Sequence, residues 1–258
     1  MNLSRMFMLA VVGVLVSLLI CLAIIPTAFG QNTDRGPCQP RIAILIDKSA
    51  SADGNGVPKL DLADFRPLLD LMIKHGGQLG VGAVQDDSRK PLLRLFIDTP
   101  PQKPPERQSD KTNVFLIAQD QAEFKREMDL YLKALSSHQD SADVEINSFS
   151  KRLGQLLDMP ETLHTSDVNS AVRRIEGFMT EPSLSQLPDQ KFVIFCTDGQ
   201  HNSDSSSVAT FPDDAILILV PGDQAGVLDS LNPIKFENPQ AAIRYIVTKF
   251  ENNLSFRR

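Results

Sequence analysis

Three short runs of almost uninterrupted apolar residues constrain this chain more than anything else in it. They are residues 41–46 (RIAILI), 192–196 (FVIFC) and 215–220 (AILILV). A strand with one face in water alternates apolar and polar side chains. A run that stays apolar therefore belongs to a strand covered on both faces, as in a parallel sheet flanked by helices. Helical patterns lie between the runs. Phe65, Leu68, Leu69 and Met72 recur at helical spacing, with Asp64 as the expected N-cap, Pro67 in the first turn and Gly76-Gly77 as the stop. Val168, Ala171, Val172, Ile175 and Phe178 repeat the pattern, as do Ala242, Ile243, Ile246, Val247 and Phe250. Residues 79–84 and 92–97 are strand-like and separated by the polar stretch QDDSRK, which reads as a hairpin. These elements predict an α/β fold, a doubly wound, mostly parallel open sheet with one antiparallel edge strand. In such sheets ligands bind at the carboxyl ends of the central strands, where the connections diverge.

One region exceeds that minimal pattern. Residues 99–111 (TPPQKPPERQSDK) are proline-rich and read as extended. Residues 114–157 then read as two amphipathic helices, the first marked by Phe124, Met128, Tyr131, Leu132 and Leu135, the second by Ile146, Phe149, Leu153 and Leu156. The expectation is an inserted helical pair at about 99–160, packed on the sheet domain with its apolar stripes as ordinary core.

The N-terminus has a different character. Twenty residues from Met6 to Ile25 carry no charge; Arg5 precedes them, and small residues follow at Ala28 and Gly30. About 20 apolar residues span a bilayer core, and a secretory signal peptide has the same outline. Residues 1–30 are thus either a single membrane anchor or a signal peptide cleaved near Gly30. In both cases the positive charge before the span places the remainder outside the cytoplasm. Residues 31–40 read as a linker, and 41–258 as the folded domain.

Composition narrows the function. Lys plus Arg number 26 against 32 Asp plus Glu, a net charge of −6, whereas a nucleic-acid binder needs a basic face to displace counterions from phosphates. Three cysteines exclude a disulfide-stapled scaffold. A bond between Cys38 and Cys196 is not expected. Cys38 precedes one central strand and Cys196 ends another, which separates them by roughly 15–20 Å along parallel neighbours, while a disulfide needs Cα atoms within about 7 Å. No GxxxxGK[ST], GxGxxG, GxSxG or HExxH occurs.

The polar residues where the buried strands stop carry the chemistry. RIAILI is followed at once by Asp47-Lys48-Ser49-Ala50-Ser51, a D-x-S-x-S motif, and FVIFC by Thr197-Asp198-Gly199. Between them, residues 166–172 (SDVNSAV) open a helix, with Thr165 just before. Carboxylates and hydroxyls from three loops are hard oxygen donors, suited to an octahedral divalent cation such as Mg²⁺ or Mn²⁺. His164 and His201 flank two of these loops without a His or Cys at ligand spacing, so zinc is not expected. Asp53, Asp86, Asp87 and Asp204 read as an acidic rim.

On these three motifs, in this order, the chain resembles the von Willebrand factor A domain family, whose metal-ion-dependent adhesion site uses this set. The resemblance covers roughly residues 40–250 apart from the helical insertion. It implies that Asp47, Ser49 and Ser51 supply the first loop and Asp198 the third. The second loop departs from the family's T-x-hydrophobic-x-x-A-hydrophobic pattern. Aligning Val168, Ala171 and Val172 puts Ser166 in the threonine position, while Thr165 matches by type one residue early. The resemblance further implies that the metal takes a carboxylate from a partner protein. The expected function is accordingly non-catalytic, a metal-dependent protein-binding module outside the cytoplasm.

Two rivals come from other classes. A metal-independent scaffold of an envelope assembly would use the same fold, because Asp and Ser after a strand also cap helices and make turns. A hydrolase similar to the haloacid-dehalogenase-type phosphatases would use Asp47 as nucleophile, but its general acid should stand two residues on, where this chain has Ser49.

Overall fold

The computed structural model describes residues 38–49, 56–84, 90–106, 114–160, 167–198, 210–220 and 226–255. All belong to one compact unit, Pro37–Arg258; residues 1–37, on which the expected anchor or signal peptide falls, lie outside the described residues. No helix among the described residues is long and apolar enough to cross a membrane.

The fold is the expected doubly wound α/β architecture. In chain order the elements are β1 (Gln39–Asp47), α1 (Arg66–His75), β2 (Gly77–Val84), β3 (Leu93–Ile97), α2 (Val114–Leu157), α3 (Val168–Thr180), β4 (Asp189–Cys196), β5 (Ile216–Val220), β6 (Ile234–Lys235) and α4 (Pro239–Ser255). The six strands form one sheet in the order β3-β2-β1-β4-β5-β6. Every neighbouring pair is parallel except β2–β3, the hairpin read from the sequence. The two-residue β6 carries no sequence signal of its own.

Strand periodicity divides the core. Ile42, Ile44 and Ile46 of β1 pack with Phe65, Met72, Phe149, Ile243 and Phe250, so α1, the C-terminal part of α2 and α4 cover one face. Ala43 and Leu45 pack with Val168, Val172, Ile175 and Phe178 of α3 on the other. All nine residues of β1 are buried, which is why RIAILI shows no alternation. Burying each such Ile or Leu contributes roughly 1.5–3 kcal/mol.

The local punctuation differs from expectation in two places. Asp64 does not cap α1. It lies in a 3-10 turn, Ala63–Phe65, and makes a reciprocal pair with Asp61: Asp61 N–H donates to Asp64 Oδ2 at 2.9 Å and Asp64 N–H to Asp61 Oδ1 at 3.1 Å. This is capping-box geometry one turn early, and α1 follows with Pro67 in its first turn and Gly76, at φ 70°, ending it. The linker also ends sooner than read. Cys38, Gln39 and Pro40 are buried and β1 already includes Gln39, because Gly77 leaves room for Pro40: a Cβ on Gly77 would stand 2.3 Å from the Pro40 carbonyl oxygen.

The insertion needs a larger correction. The helical pair is a single 44-residue helix, α2, about 66 Å long at 1.5 Å per residue. The polar stretch LSSHQDSADVE between the two stripes contains neither Gly nor Pro. Its Ser, His and Asp cost only about 0.5 kcal/mol each relative to alanine, too little to stop a helix already propagating. Ala142, buried at helical spacing from both stripes, joins them. Of the stripes only the second is core: Phe149 and Leu153 are buried. Phe124, Met128, Tyr131 and Leu135 are half-buried and Leu132 is exposed.

Candidate metal site

β1 and β4 lie side by side at the centre of the sheet and run parallel, with Ile46 opposite Cys196. From this pair the chain winds outward in both directions, to β2 on one side and β5 on the other. The crevice at their carboxyl ends is the topological switch point of the sheet. The next residue on each strand reaches that crevice: Asp47 closes β1, and Thr197 follows β4.

These two side chains meet. Thr197 Oγ1 donates to Asp47 Oδ2 at 2.5 Å, and Ser49 N–H donates to Asp47 Oδ1 at 2.9 Å. The Ser49 hydroxyl also bonds to the Asp47 carboxylate. The first loop therefore folds back on its own aspartate, as Asx turns do. The loops are held to the sheet by backbone bonds from Lys48 N–H to the Val84 carbonyl at 3.1 Å and from Thr197 N–H to the Val220 carbonyl at 3.0 Å. Lys48 Nζ reaches the Leu157 carbonyl at the end of α2, 2.5 Å away, where the helix dipole is negative.

The site is deeply placed. Asp47 is 8% exposed, Ser49 5%, Asp198 1% and Thr197 0%. Burial raises the Asp47 carboxyl above its ordinary range; the Ser49 and Thr197 donors pull it back in part, and the negative Asp198 pushes it up further. A second buried carboxylate at the same strand edge thus opposes the ionisation of Asp47. A cation would relieve both the desolvation and the repulsion. Among the described residues the donors brought together are carboxylate and hydroxyl oxygens, a set that fits Mg²⁺ or Mn²⁺ better than a soft metal. Among the described residues there is no cluster of three or more His, Cys, Asp or Glu side chains able to hold a metal. The expected set has only two acids, and hydroxyls supply the rest.

Of the residues expected from the sequence, Asp47, Ser49 and Asp198 come to one edge of the sheet. Ser51, Ser166 and its alternate Thr165 lie outside the described residues, as do His164, His201, Asp53, Asp86, Asp87 and Asp204. The helix that Ser166 was expected to open is present: Asp167 is its N-cap, accepting from Ser170 N–H at 3.0 Å, and α3 begins at Val168. Thr197, within the T-D-G motif, is a residue of the site to which the motif assigns no role. Its signal was available, a β-branched hydroxyl residue at the end of a buried strand, one position before the third-loop acid.

Cys196, beside the site, is fully buried, which pushes its thiol up to about 12. No disulfide joins Cys38 to Cys196. Cys196 pairs with Ile46, eight positions along β1 from Cys38, roughly 26 Å at 3.3 Å per residue. In comparisons with protein-family models, curated proteins and solved structures, nothing matches this chain.

Proposed function

We propose that the protein is a non-catalytic binding module outside the cytoplasm, which takes a carboxylate of a partner protein through a divalent cation held at the switch point. Asp47, Ser49, Ser51, Ser166 (or Thr165) and Asp198 are the proposed ligands, with Mg²⁺ or Mn²⁺ as the ion. The observation that carries the reading is the convergence of Asp47 with Thr197 and Asp198, two buried acids among hydroxyls at the carboxyl ends of adjacent central strands.

Charge explains why such a site would recruit an outside acid. Hydroxyls and water add no charge, so a divalent ion is neutralised only if both aspartates bind it directly. With one of them acting through water, the ion stays electrophilic toward a further carboxylate. The proposed placement outside the cytoplasm rests on Arg5 preceding the apolar segment.

The test is calorimetric titration of Mg²⁺ and Mn²⁺ into the protein and into Asp47→Ala and Asp198→Asn, repeated with a short glutamate-bearing peptide present. Saturable binding in the parent, lost in both variants and tightened by the peptide, supports the reading. Binding that survives both substitutions sinks it. Absence of binding with the peptide present favours the metal-independent scaffold.

A further inference from the structure

The edge strand β3 borders a groove of about 630 Å³ that nothing in the metal-site reading uses. Five consecutive residues, Arg94 to Asp98, line it. Because alternate strand side chains point to opposite faces, a groove that touches all five runs along the edge of the strand. β3 ends the sheet and, among the described residues, pairs as a strand only with β2, while α2 packs beside it.

The two walls are of different kinds. On one side α2 contributes Ser137, His138, Ser141, Ala142 and Glu145. On the other stand Phe178 and Leu184, the latter 68% exposed. The Arg94 guanidinium sits 5.2 Å from the Phe178 ring centre and makes a bidentate ion pair with Glu181, 2.7 Å for each bond. Its charge is therefore balanced. The carboxylates of Glu145 and Asp98 have no ion pair among the described residues.

Two buried polar atoms of the lining have no partner, and they are of opposite character. Gln78, 4% exposed and paired in register with Phe96, has an amide nitrogen without an acceptor. His138 turns Nε2 to the Asp98 carbonyl at 2.9 Å, where it must donate, and in the tautomer with its hydrogen on Nε2 the Nδ1 atom is an acceptor without a donor. An occupant that satisfies a donor, an acceptor and the alternating N–H and C=O groups of a strand edge is a polypeptide backbone; a phosphate or a sugar does not carry that alternation.

We propose that this groove binds an extended peptide segment of a partner protein, added as a strand along the outer edge of β3. Backbone hydrogen bonds supply the affinity and alternate side chains the selectivity. The chemistry of the walls specifies a basic side chain toward Glu145 and an apolar one toward Phe178 and Leu184. Binding here is independent of the ion at Asp47 and proceeds in the presence of chelator.

The experiment uses the whole protein in EDTA and a seven-residue peptide of alternating Lys and Val, acetylated, amidated and fluorescently labelled. Anisotropy should show saturable binding, and hydrogen exchange should slow over residues 93–98. Methylating alternate peptide nitrogens, which keeps charge and side chains but removes the edge bonds, should weaken binding about tenfold or more. Ser141→Trp, an exposed substitution that fills the groove, should do the same. Absence of saturable binding, equal binding of the methylated peptide, or exchange protection confined to other strands would each overturn the proposal.

Discussion

Thr197 and Asp47, 150 residues apart in the chain, are joined by a 2.5 Å hydrogen bond that locks the ends of the two central strands together. The hydroxyl is wholly buried and the carboxylate nearly so. Removing the donor leaves a buried acceptor short of a partner, which costs about 1–3 kcal/mol. Thr197→Val preserves shape, and its urea unfolding midpoint should fall by the corresponding amount. An unchanged midpoint would show that the bond contributes nothing.

The pH dependence follows from the Asp47 shift. Its carboxyl is raised in the folded protein, first by burial. A raised group supports the fold fully below the unfolded value, and that support is lost as pH rises through the folded one. Without metal, the Asp47 contribution therefore weakens the fold as pH climbs through and above the ordinary carboxylate range. Asp47→Asn should flatten that part of the stability profile in EDTA and be relatively more stable at neutral pH. A parallel profile for the two proteins would contradict the assignment.

Arg41, at the opposite end of β1, is 0% exposed and makes a 2.7 Å ion pair with Asp189, whose side chain is 6% exposed. It also donates to the carbonyls of Phe178, Glu181 and Pro182, at 2.9, 2.6 and 3.1 Å. The arginine thus ties β1 to β4 and to the end of α3. Arg41→Leu strands the Asp189 charge, and breaking such a buried pair costs about 3–5 kcal/mol. Thermal unfolding should register the full loss, and a cost below about 1 kcal/mol would place the pair among surface bridges.

Cys196 should be inert in the native state, since its thiol lies near 12 and its side chain is enclosed. In a Cys21→Ser protein, an aromatic disulfide reagent should find no reactive thiol at pH 8 until denaturant is added, then two, from Cys38 and Cys196. Native-state labelling mapped to Cys196 would mean that the central strand β4 opens far more readily than its packing allows.

What sequence patterning decides is whatever depends on local periodicity. The runs 41–46 and 192–196 read as strands covered on both faces and are buried throughout, whereas in 215–220 only Ile218, Leu219 and Val220 are fully buried. Asp47, Ser49 and Asp198 were legible for a related reason, as abrupt polar residues at the ends of those runs. The capping of α1 was misread because Asp61 and Asp64 are alike in type, and only backbone geometry chooses between them. The continuity of α2 was misread because modest local penalties do not end a helix once tertiary contacts such as those of Ala142, Phe149 and Leu153 support it.

Other features have no local signature at all. Thr197 meets Asp47 only because β1 and β4 are neighbours, and strand order arises from how helices pack on both faces. Arg41 looks like an ordinary polar start to a strand until the end of α3 brings three carbonyls to it. The groove at β3 exists because the sheet stops there while α2 continues past it. Periodicity reports which face of an element is buried; which surfaces meet, and which strand ends the sheet, is settled by packing between elements far apart in the chain.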